Sequence, residues 1–363
     1  MKTLLLGDVS PKAKHVIDLF DKKDVKALFS DTISLFKDND INFINLECAI
    51  TDSENEIKKF GPCLKTCRNT ADVLKEIGVT VCGLSNNHIF DFGIKGATDT
   101  IKALDETGLD YTGFGDNYED SRRNYVVTKN GEKVCLIAVC EHEYSYAIED
   151  RMGSRPFDEF ETMDDIREAK KTCDRVIVLY HGGKELCQYP SPRLVKACRS
   201  MIKNGADVVL CQHTHCIGCY ENFEGGHILY GQGNFHFIYP EYASNILWNE
   251  CLAVKYDTKT NEIEFTPIVA NDNGIELAKG EKKEQILRDF ETRCKTISDG
   301  TWIDGWREFC DSVKDMYERA AKGACDVEFD KIGDSVFAHY LDCEAHTDVW
   351  RELFKTANHR NEK

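Results

Sequence analysis

Carboxylate, amide and imidazole side chains follow five apolar stretches of this sequence and carry its most specific chemical signal. Each stretch has the pattern of a buried β-strand, and residues at the carboxyl ends of strands in an α/β sheet converge on the edge where such proteins bind ligands. Two carboxylates, an asparagine and three or four histidines brought together have the composition of a metal site. The five clusters are Gly7-Asp8, Asn45-Leu46-Glu47, Asn86-Asn87-His88, His181-Gly182-Gly183 and Cys211-Gln212-His213-Thr214-His215.

Asp8 and Glu47 are candidate metal ligands because each follows an apolar run at the end of a predicted strand. A carboxylate in that position needs a counter-charge, which a metal ion supplies. Gly7 would let the chain turn sharply, so that the Asp8 carboxylate projects from the strand end. His213 and His215 are separated by one residue, and in an extended strand end both would point the same way, toward adjacent ions.

The stretch from residue 86 to residue 93 is the second most specific feature. Asn87 can offer an amide oxygen to a metal, and His88 can then face the substrate as a general acid or an electrostatic clamp. Asp91 is placed either to orient His88 or to cap the helix predicted to begin at Gly93. The N-terminus of that helix would favour an anionic substrate.

A second set of carboxylate, amide and imidazole ligands permits two ions. Two ions about 3.5–4 Å apart can clamp a substrate and generate a bridging hydroxide nucleophile. Mixed oxygen and nitrogen ligands suit Mn, Zn or Fe, and the ligand types do not select among these metals. The ligand set therefore permits two divalent metal ions of one of these kinds.

The bulk composition points away from nucleic acid and from membranes. The 363 residues carry a net charge of −17, which neither nucleic acid nor an anionic membrane surface would attract. The first strand follows Met1-Lys2 directly, so the sequence shows no signal peptide and no membrane span. We therefore expect a cytoplasmic protein.

The 17 cysteines are odd in number and irregularly spaced. In a cytoplasmic protein they are expected to be reduced, and most of them replace small apolar residues within predicted strands and helices. Two pairs, Cys63 with Cys67 and Cys216 with Cys219, would also fit half of a zinc site, although no well-spaced second pair accompanies either. Free structural thiols are the favoured interpretation.

Predicted strands and helices alternate, which is typical of a layered α/β fold. Residues 11–38 are predicted to be helical in character, and Asn130-Gly131 predicts a two-residue hairpin turn. From Lys282 onward the pattern is helical. We expect an α/β domain over residues 1–272 and a helical C-terminal module over residues 273–363.

In this order and spacing the motifs resemble those of the CapA family of poly-γ-glutamate capsule biosynthesis proteins. The resemblance extends over about residues 1–270. It implies a four-layer α/β/β/α sandwich like that of the calcineurin-like metallophosphoesterases, with a helical C-terminal extension and a dinuclear metal centre. The matching residues are Gly7-Asp8, Asn45-Leu46-Glu47, Asn86-Asn87-His88 with Asp91 and Gly93, His181-Gly182-Gly183-Lys184-Glu185, Asn204-Gly205-Ala206-Asp207-Val208-Val209, His213-Thr214-His215 and Tyr230-Gly231-Gln232-Gly233-Asn234-Phe235.

The resemblance also implies a role for each site residue. His88 would be the catalytic histidine, with Asp91 beside it, and Glu47 would be able to bridge the two ions. The implied metal ligands are Asp8, Glu47, Asn87, His181, His213 and His215. The residues expected to support these groups or to contact substrate are Asn86, Glu185 and Asn234. For Asn234, a structural turn is an equal alternative.

Several departures from the family pattern bear on the site. Metallophosphoesterases usually carry a ligand histidine two residues after the first aspartate, where this chain has Ser10, and a bridging aspartate where it has Glu47. Gly182 stands in place of a bulky aromatic residue, and Thr214 in place of the proline of a His-Pro-His motif. The N-terminal membrane anchor of many members is missing, which argues against a role at the capsule assembly membrane.

Together these features predict a metal-dependent hydrolase, in which a metal-bound hydroxide attacks a phosphoester or a γ-glutamyl amide bond. The alternative is a non-catalytic, metal-containing partner or regulator of a capsule polymer synthase, which the loss of a ligand at Ser10 would fit. A Ser or Cys nucleophile is disfavoured, since the sequence has no Gly-x-Ser-x-Gly elbow. The stretch between residues 140 and 160 is either a substrate loop or a solvated loop; its candidate residues are His142, Tyr144, Arg151 and Arg155.

Overall fold

Strands and helices alternate along most of the chain, as the sequence pattern predicts. The computed structural model describes residues 1–324 and 331–359. The strands in this part of the chain form two large sheets and two short pairs. They are β1 (Lys2–Val9), β2 (Ile41–Leu46), β3 (Ala49–Ile50), β4 (Lys65–Thr66), β5 (Val81–Gly83), β6 (Asp110–Thr112), β7 (Phe114–Gly115), β8 (Tyr125–Lys129), β9 (Glu132–Cys140), β10 (Gly153–Ser154), β11 (Arg175–His181), β12 (Val208–Gln212), β13 (Tyr220–Phe223), β14 (Gly226–Leu229), β15 (Asn234–His236), β16 (Glu250–Asp257), β17 (Glu262–Ala270) and β18 (Ile275–Leu277).

Most helices connect these strands, and the last four follow them. Gly78 and Gly108 end two helices in the left-handed conformation, with φ of +103° and +67°. The α-helices are α1 (Lys14–Asp21), α2 (Val25–Phe29), α3 (Asn69–Ile77), α4 (Gly93–Thr107), α5 (Tyr118–Ser121), α6 (Glu161–Thr172), α7 (Pro192–Lys203), α8 (Gly280–Asp299), α9 (Trp302–Ala324), α10 (Lys331–Asp342) and α11 (Glu344–His359), and 3₁₀ helices span Ser30–Phe36 and Pro240–Tyr242.

Residues 11–38 are largely helical, as predicted, but they do not form one continuous helix. The chain forms two short α-helices and a 3₁₀ helix there, because Lys23 and Ser30 adopt left-handed φ values of +56° and +43°. The Asp24 side chain accepts a hydrogen bond from the Ala27 N–H and so begins α2. These breaks allow apolar side chains of all three pieces to pack on the first sheet.

The two large sheets share the same plan, with parallel strands at the centre and antiparallel strands at an edge. The first has the order β18-β17-β16-β1-β2-β5-β6, and β15 also pairs with β1. The second has the order β13-β14-β12-β11-β9-β8, in which β9, β11, β12 and β14 are parallel. Asn130 and Gly131 form the predicted hairpin turn between β8 and β9, with φ of +53° and +84°.

Three buried apolar clusters show that the molecule has four layers. One fills the space between the sheets and includes Leu5 and Val254 from the first sheet and Ile177 and Leu210 from the second. Another lies between the first sheet and α1–α4, and a third lies between the second sheet and α6 and α7. Strands buried on both faces have continuous apolar runs, as observed here. The expected α/β/β/α sandwich is confirmed.

The expected helical C-terminal extension is also present. Helices α9, α10 and α11 pack on one another around Trp306, Tyr317 and Val349. The edge strand β18 lies beyond residue 272 but pairs with β17 of the first sheet. The division of the chain into residues 1–272 and 273–363 stays a prediction.

Gly7 lies inside β1, so the sharp turn predicted before Asp8 is wrong. The glycine instead permits a close approach of two backbones. A Cβ at this position would lie 2.1 Å from the carbonyl oxygen of Gly233. This contact lies where Asp8 pairs with Asn234, at the junction of β1 and β15.

We expect Gly7→Ala to destabilise the protein by about 1–3 kcal/mol, because the added methyl group must push two paired backbones apart. Urea unfolding at neutral pH would measure the loss. Gly225→Asn is a suitable control, since Gly225 has a left-handed φ of +86° that Asn tolerates and nothing within 4 Å of a Cβ. Equal stability of Gly7→Ala and the wild type would contradict the steric argument.

Candidate metal centre

The carboxyl ends of parallel strands from both sheets meet at one buried edge. On the first sheet, Asp8 is the second-to-last residue of β1, and Glu47 directly follows the end of β2. On the second sheet, His181 ends β11 and His213 follows β12. The predicted ligands that meet here, all of them buried, are Asp8, Glu47, Asn87, His181, His213 and His215.

Glu47 is common to two groups of side chains that could each hold an ion. One group is Asp8, Glu47 and His215, and the other is Glu47, His181 and His213; within each group the ligand atoms lie within 4.8 Å of one another. Glu47 Oε1 lies 3.5 Å from His181 Nε2 and 3.8 Å from His215 Nε2. Glu47 is therefore shared by these two groups of possible ligands.

The surroundings of Glu47 fit a cation. Its carboxylate is fully buried, and neither oxygen has a hydrogen-bond partner within residues 1–324 and 331–359. Burial is the main cause that raises the pKa of Glu47 well above its usual range, and the negative charges of Asp8 and Glu185 raise it further. A buried carboxylate without partners is costly, and a divalent ion bound by these oxygen and nitrogen donors would remove that cost.

Two asparagines tie the site together across the sheets. Asn45 Nδ2 donates to Asp8 Oδ1 at 2.7 Å and lies 3.0 Å from His181 Nδ1. Asn87 Oδ1 lies 3.0 Å from His181 Nε2, and Asn87 Nδ2 donates to Glu143 Oε2 at 2.8 Å. Asn45 belongs to one of the five clusters, yet sequence reasoning did not select it as a site residue.

Glu143 is a second residue that sequence reasoning missed. It is buried, its Oε1 lies 3.6 Å from His213 Nε2, and burial raises its pKa. It lies shortly after the end of β9, so the strand-end argument applied to that strand would have found it. The hydrophilic residues around it hid the signal because they resemble a solvated loop.

His213 and His215 are not in an extended strand end, so that prediction is wrong. Both have left-handed backbone φ values, +76° and +53°, and β12 ends one residue earlier at Gln212. Such values are uncommon outside glycine and persist where surrounding structure enforces them. Here they direct the two rings to different ligand groups, with His213 near His181 and His215 near Asp8.

Asp91 contacts His88 rather than capping α4. Its Oδ2 lies 2.6 Å from His88 Nδ1, whereas the start of α4 has no side-chain cap. Lys59, which carried no sequence signal, donates to Asp91 Oδ1 at 2.6 Å. Burial would raise the pKa of Asp91, but His88 and Lys59 lower it, so the group stays a carboxylate. It therefore holds the Nδ1–H tautomer of His88 and leaves Nε2 as the second ring nitrogen.

Asn86, Asn234 and Glu185, which were expected to support the ligands or to contact substrate, lie at three different positions around the site. Asn86 Oδ1 accepts hydrogen bonds from the backbone N–H groups of His88 and Ile89, so it shapes the turn that carries His88. Asn234 Oδ1 lies 2.8 Å from His215 Nδ1. Glu185 forms a third ligand group with His213 and His215, and its side chain is 48% exposed.

The stretch between residues 140 and 160 is neither solvated nor uniformly placed at the site. Arg155 is buried and pairs with Asp165 at 2.6 Å, away from the ligands, so it is not a substrate residue. Arg151 donates to the Tyr146 carbonyl oxygen. Tyr144 stacks on His339 at 5.4 Å between ring centroids. Residues 142–144 therefore pack against the C-terminal helices, and the two arginines contact other parts of the chain.

The cysteines behave as structural residues. Those in the described ranges are free thiols, and most are buried, including Cys216 and Cys219. The three groups of side chains in those ranges that could hold an ion contain no cysteine. The free-thiol interpretation therefore fits the structure, and the zinc half-sites do not.

A cavity of about 570 Å³ lies beside the ligands. Its wall includes Asn87, His88 and His215 from the α/β sandwich and His339 and His346 from the C-terminal helices. Pockets of this volume suit one small ligand. The C-terminal extension thus forms part of the site, although the sequence showed no chemical motif in it.

The C-terminal helices are held beside the site by polar contacts. Glu344 accepts a hydrogen bond from the His142 backbone N–H at 2.7 Å and is 2.6 Å from His142 Nδ1. Asp348 accepts from Arg193 Nε at 2.8 Å and from the Ser191 hydroxyl at 2.6 Å. The hydrogen bond to Glu344 raises the pKa of His142, although partial burial acts in the opposite direction.

This raised pKa makes the attachment of α11 dependent on pH. A raised histidine pKa contributes stability that is present below the unfolded-state pKa of about 6.5 and is lost as pH rises through the folded-state value. We expect His142→Gln to lower the free energy of unfolding by up to about 1 kcal/mol at pH 6 and by less at pH 9, since the pair is partly exposed. Urea unfolding of both proteins at both pH values measures this, and Glu344→Gln should behave alike. An equal loss at both pH values would contradict it.

The fold and the site define a class of protein. It is a four-layer α/β/β/α sandwich, with carboxylates and imidazoles gathered where strands of both sheets end. The sequence model of the family described as bacterial capsule synthesis protein PGA_cap matches residues 2–239. The chain belongs to this family, as its motifs predict.

Two curated relatives are similar over much of the chain. The capsule biosynthesis protein CapA of Bacillus anthracis is 30% identical over 242 residues, which cover 64% of this chain and 59% of that protein. The PGA biosynthesis protein CapA of Bacillus subtilis (strain 168) is 28% identical over 294 residues, which cover 78% of this chain and 76% of that protein. The chain thus spans about three-fifths of the Bacillus anthracis relative and three-quarters of the Bacillus subtilis one.

Solved structures are similar only at a distance. A hypothetical protein from Thermus thermophilus is 16% identical with a TM-score of 0.43, covering 77% of this chain and 100% of that one. A 5'-nucleotidase from Candida albicans is 8% identical with a TM-score of 0.40, covering 81% of this chain and 58% of that one.

No helix in residues 1–324 and 331–359 combines the length and the apolar character needed to cross a membrane.

Proposed function

We propose that this protein is a metal-dependent hydrolase whose two ligand groups, which share Glu47, would hold two divalent ions of Mn, Zn or Fe. The observation that carries the proposal is the fully buried Glu47 carboxylate, whose oxygens have no hydrogen-bond partner in the described chain and which belongs to two ligand groups. Its substrate would contain a phosphoester or a γ-glutamyl amide bond. The second of these follows from the relatives named for capsule and PGA biosynthesis.

Asp8, Asn87, His181, His213 and His215 would complete the two coordination shells. Bound ions would supply a Lewis acid for the scissile bond and a water nucleophile of lowered pKa. The chain itself has to hold the donors in place, and Asn45 does so by contacting both Asp8 and His181.

His88 would exchange a proton with the substrate at Nε2. The Asp91 carboxylate beside Nδ1 fixes the tautomer and orientation of the ring, and Lys59 holds Asp91 from its other oxygen. Burial, together with the charge of Lys59, lowers the pKa of His88, so the ring is neutral at neutral pH. A buried, oriented histidine that lines the cavity suits general acid–base catalysis.

The test is a product screen on protein loaded with each metal in turn. The protein would be incubated with phosphomonoesters, phosphodiesters and γ-glutamyl peptides, and products would be identified by mass spectrometry. Metal-stripped protein is the control, and metal content is measured on every sample. A product that requires the metal establishes the hydrolase and names the bond.

Absence of any product from fully loaded protein would contradict the proposal. It would favour the alternative predicted from the sequence, a non-catalytic metal-containing partner or regulator of a polymer synthase. The replacement of the usual ligand histidine by the buried Ser10 is the feature that would fit this alternative.

A further inference from the structure

The cavity beside the candidate metal centre is closed on one side by a part of the chain outside the family match. His339 and Tyr340 of α10 and His346 of α11 line it, whereas the family model ends at residue 239. On other sides, Lys59 and Lys184 line the same cavity. Any substrate that reaches the metal ligands therefore also meets residues that lie outside the part of the chain matched by the family model.

Lys184 is a buried cation with little compensation. Its side chain is 7% exposed, and its ammonium group makes no hydrogen bond within residues 1–324 and 331–359. The nearest carboxylate, Glu185, lies at 3.8 Å, which is too long for a hydrogen bond. Glu185 is also shared with His213 and His215. Because this long ion pair is the one that Lys184 forms in the described residues, its ammonium group can still bind a further anion.

The C-terminal helices add neutral hydrogen-bonding groups near this cation. Burial, followed by the charge of Lys184, lowers the pKa of His339 to about 4 and lowers that of His346. The Tyr317 hydroxyl lies 2.6 Å from His346 Nδ1, and as a donor it would leave the proton of the neutral ring on Nε2. The flat ring of Tyr340 stacks on His346, with 4.2 Å between centroids.

Lys184 also lies a short distance from the candidate ligands. Glu185 is 3.8 Å from Lys184 Nζ, and one of its carboxylate oxygens is within 4.8 Å of a ring nitrogen of both His213 and His215. One short molecule could therefore reach the metal centre with one end and Lys184 with the other. A cavity of about 570 Å³ has room for such a molecule.

We propose that Lys184, with the imidazoles of His339 and His346, binds a second anionic group of the substrate, a carboxylate or a phosphate, a few bonds away from the one that is cleaved. The inference rests on the proposed function for the position of the reacting bond. It makes this protein selective for small dianionic molecules or for the anionic end of a chain, and it gives the C-terminal helices a role in specificity.

The test compares matched ligands and needs no turnover. Glutarate and 4-phosphonobutyrate are butyrate with a carboxylate or a phosphonate added at the far end. Their affinities for full-length protein in Mn²⁺ buffer would be measured by calorimetry, for the wild type, for Lys184→Met and for Lys196→Met. Lys196 is an exposed residue of α7 and serves as the control. Mn²⁺ affinity of each protein is measured in parallel.

In the wild type and in Lys196→Met, we expect the affinity for at least one dianion to be at least about ten times the affinity for butyrate. A hydrogen bond to a charged group would contribute a difference of this size. In Lys184→Met that preference should fall to about twofold or less, with Mn²⁺ affinity unchanged. A preference for glutarate alone would identify the group as a carboxylate, and one for 4-phosphonobutyrate alone as a phosphate.

Equal affinity of the wild type for butyrate and both dianions would overturn the inference, as would an unchanged preference in Lys184→Met. Its failure differs from failure of the proposed function. A protein that prefers dianions but hydrolyses nothing would contradict only the hydrolase, and a hydrolase without this preference would contradict only the anion subsite.

Discussion

Replacing His88 with alanine is expected to lower kcat by about 10²–10⁴-fold, the contribution of a well-placed general acid or base. The metal content should not change, because His88 belongs to none of the ligand groups in the described chain. KM should change much less than kcat, since the residue acts on a proton during the reaction rather than on substrate binding. Steady-state kinetics on the substrate found by the product screen would measure both constants.

A matched control is available for this experiment. His15 is an exposed residue of α1 whose ring contacts only the Asp272 carbonyl oxygen at 2.7 Å among the hydrogen bonds of the described chain, so His15→Ala should leave kcat unchanged. If His88→Ala keeps its turnover, His88 is not the proton-transfer group. If it loses its metal as well, His88 supports the ligands instead.

Glu47→Gln is expected to reverse the order of stability between metal-free and metal-loaded protein. Without metal, the variant should be at least as stable as the wild type, because it removes a buried carboxylate that has no partner in the described chain. With metal at about a thousand times its dissociation constant, the wild type should gain about 4 kcal/mol, while the variant should gain little since both ligand groups lose Glu47.

The pH dependence of the metal-free proteins gives a further check on Glu47. A carboxylate with a raised folded-state pKa destabilises the fold increasingly as pH rises toward that value. The advantage of Glu47→Gln should therefore be largest at high pH and should vanish below the ordinary pKa of about 4.3.

Thermal unfolding with and without Mn, Zn or Fe measures these effects. Glu54→Gln is the control, because the Glu54 side chain is 87% exposed and should affect neither state. An equal metal-induced gain in the wild type and Glu47→Gln would remove Glu47 from the coordination shell. Greater stability of the metal-free wild type at high pH would show that its carboxylate has a partner.

The sequence by itself determined a layered α/β fold and the strand ends that carry the candidate ligands, while the four layers were what the family resemblance implied. Apolar runs buried on both faces identify the strands, and a parallel strand must deliver the residue after it to the carboxyl edge of its sheet. Asp8, Glu47 and His181 could be located in this way because strand and ligand are adjacent in the chain. The turn at Asn130-Gly131 was predictable for the same reason, since its conformation depends on local backbone preferences alone.

Only the tertiary structure decided which residues surround those ligands. Several contacts at the site join residues that are far apart in the chain. Asn45 contacts His181, Lys59 contacts Asp91, and His346 of the C-terminal helices lines the cavity. No local pattern encodes such contacts, because they arise when separate elements pack. The breaks within the helical region of residues 11–38 have a similar origin, because periodicity indicates its helical character but packing on the sheet favours three separate pieces.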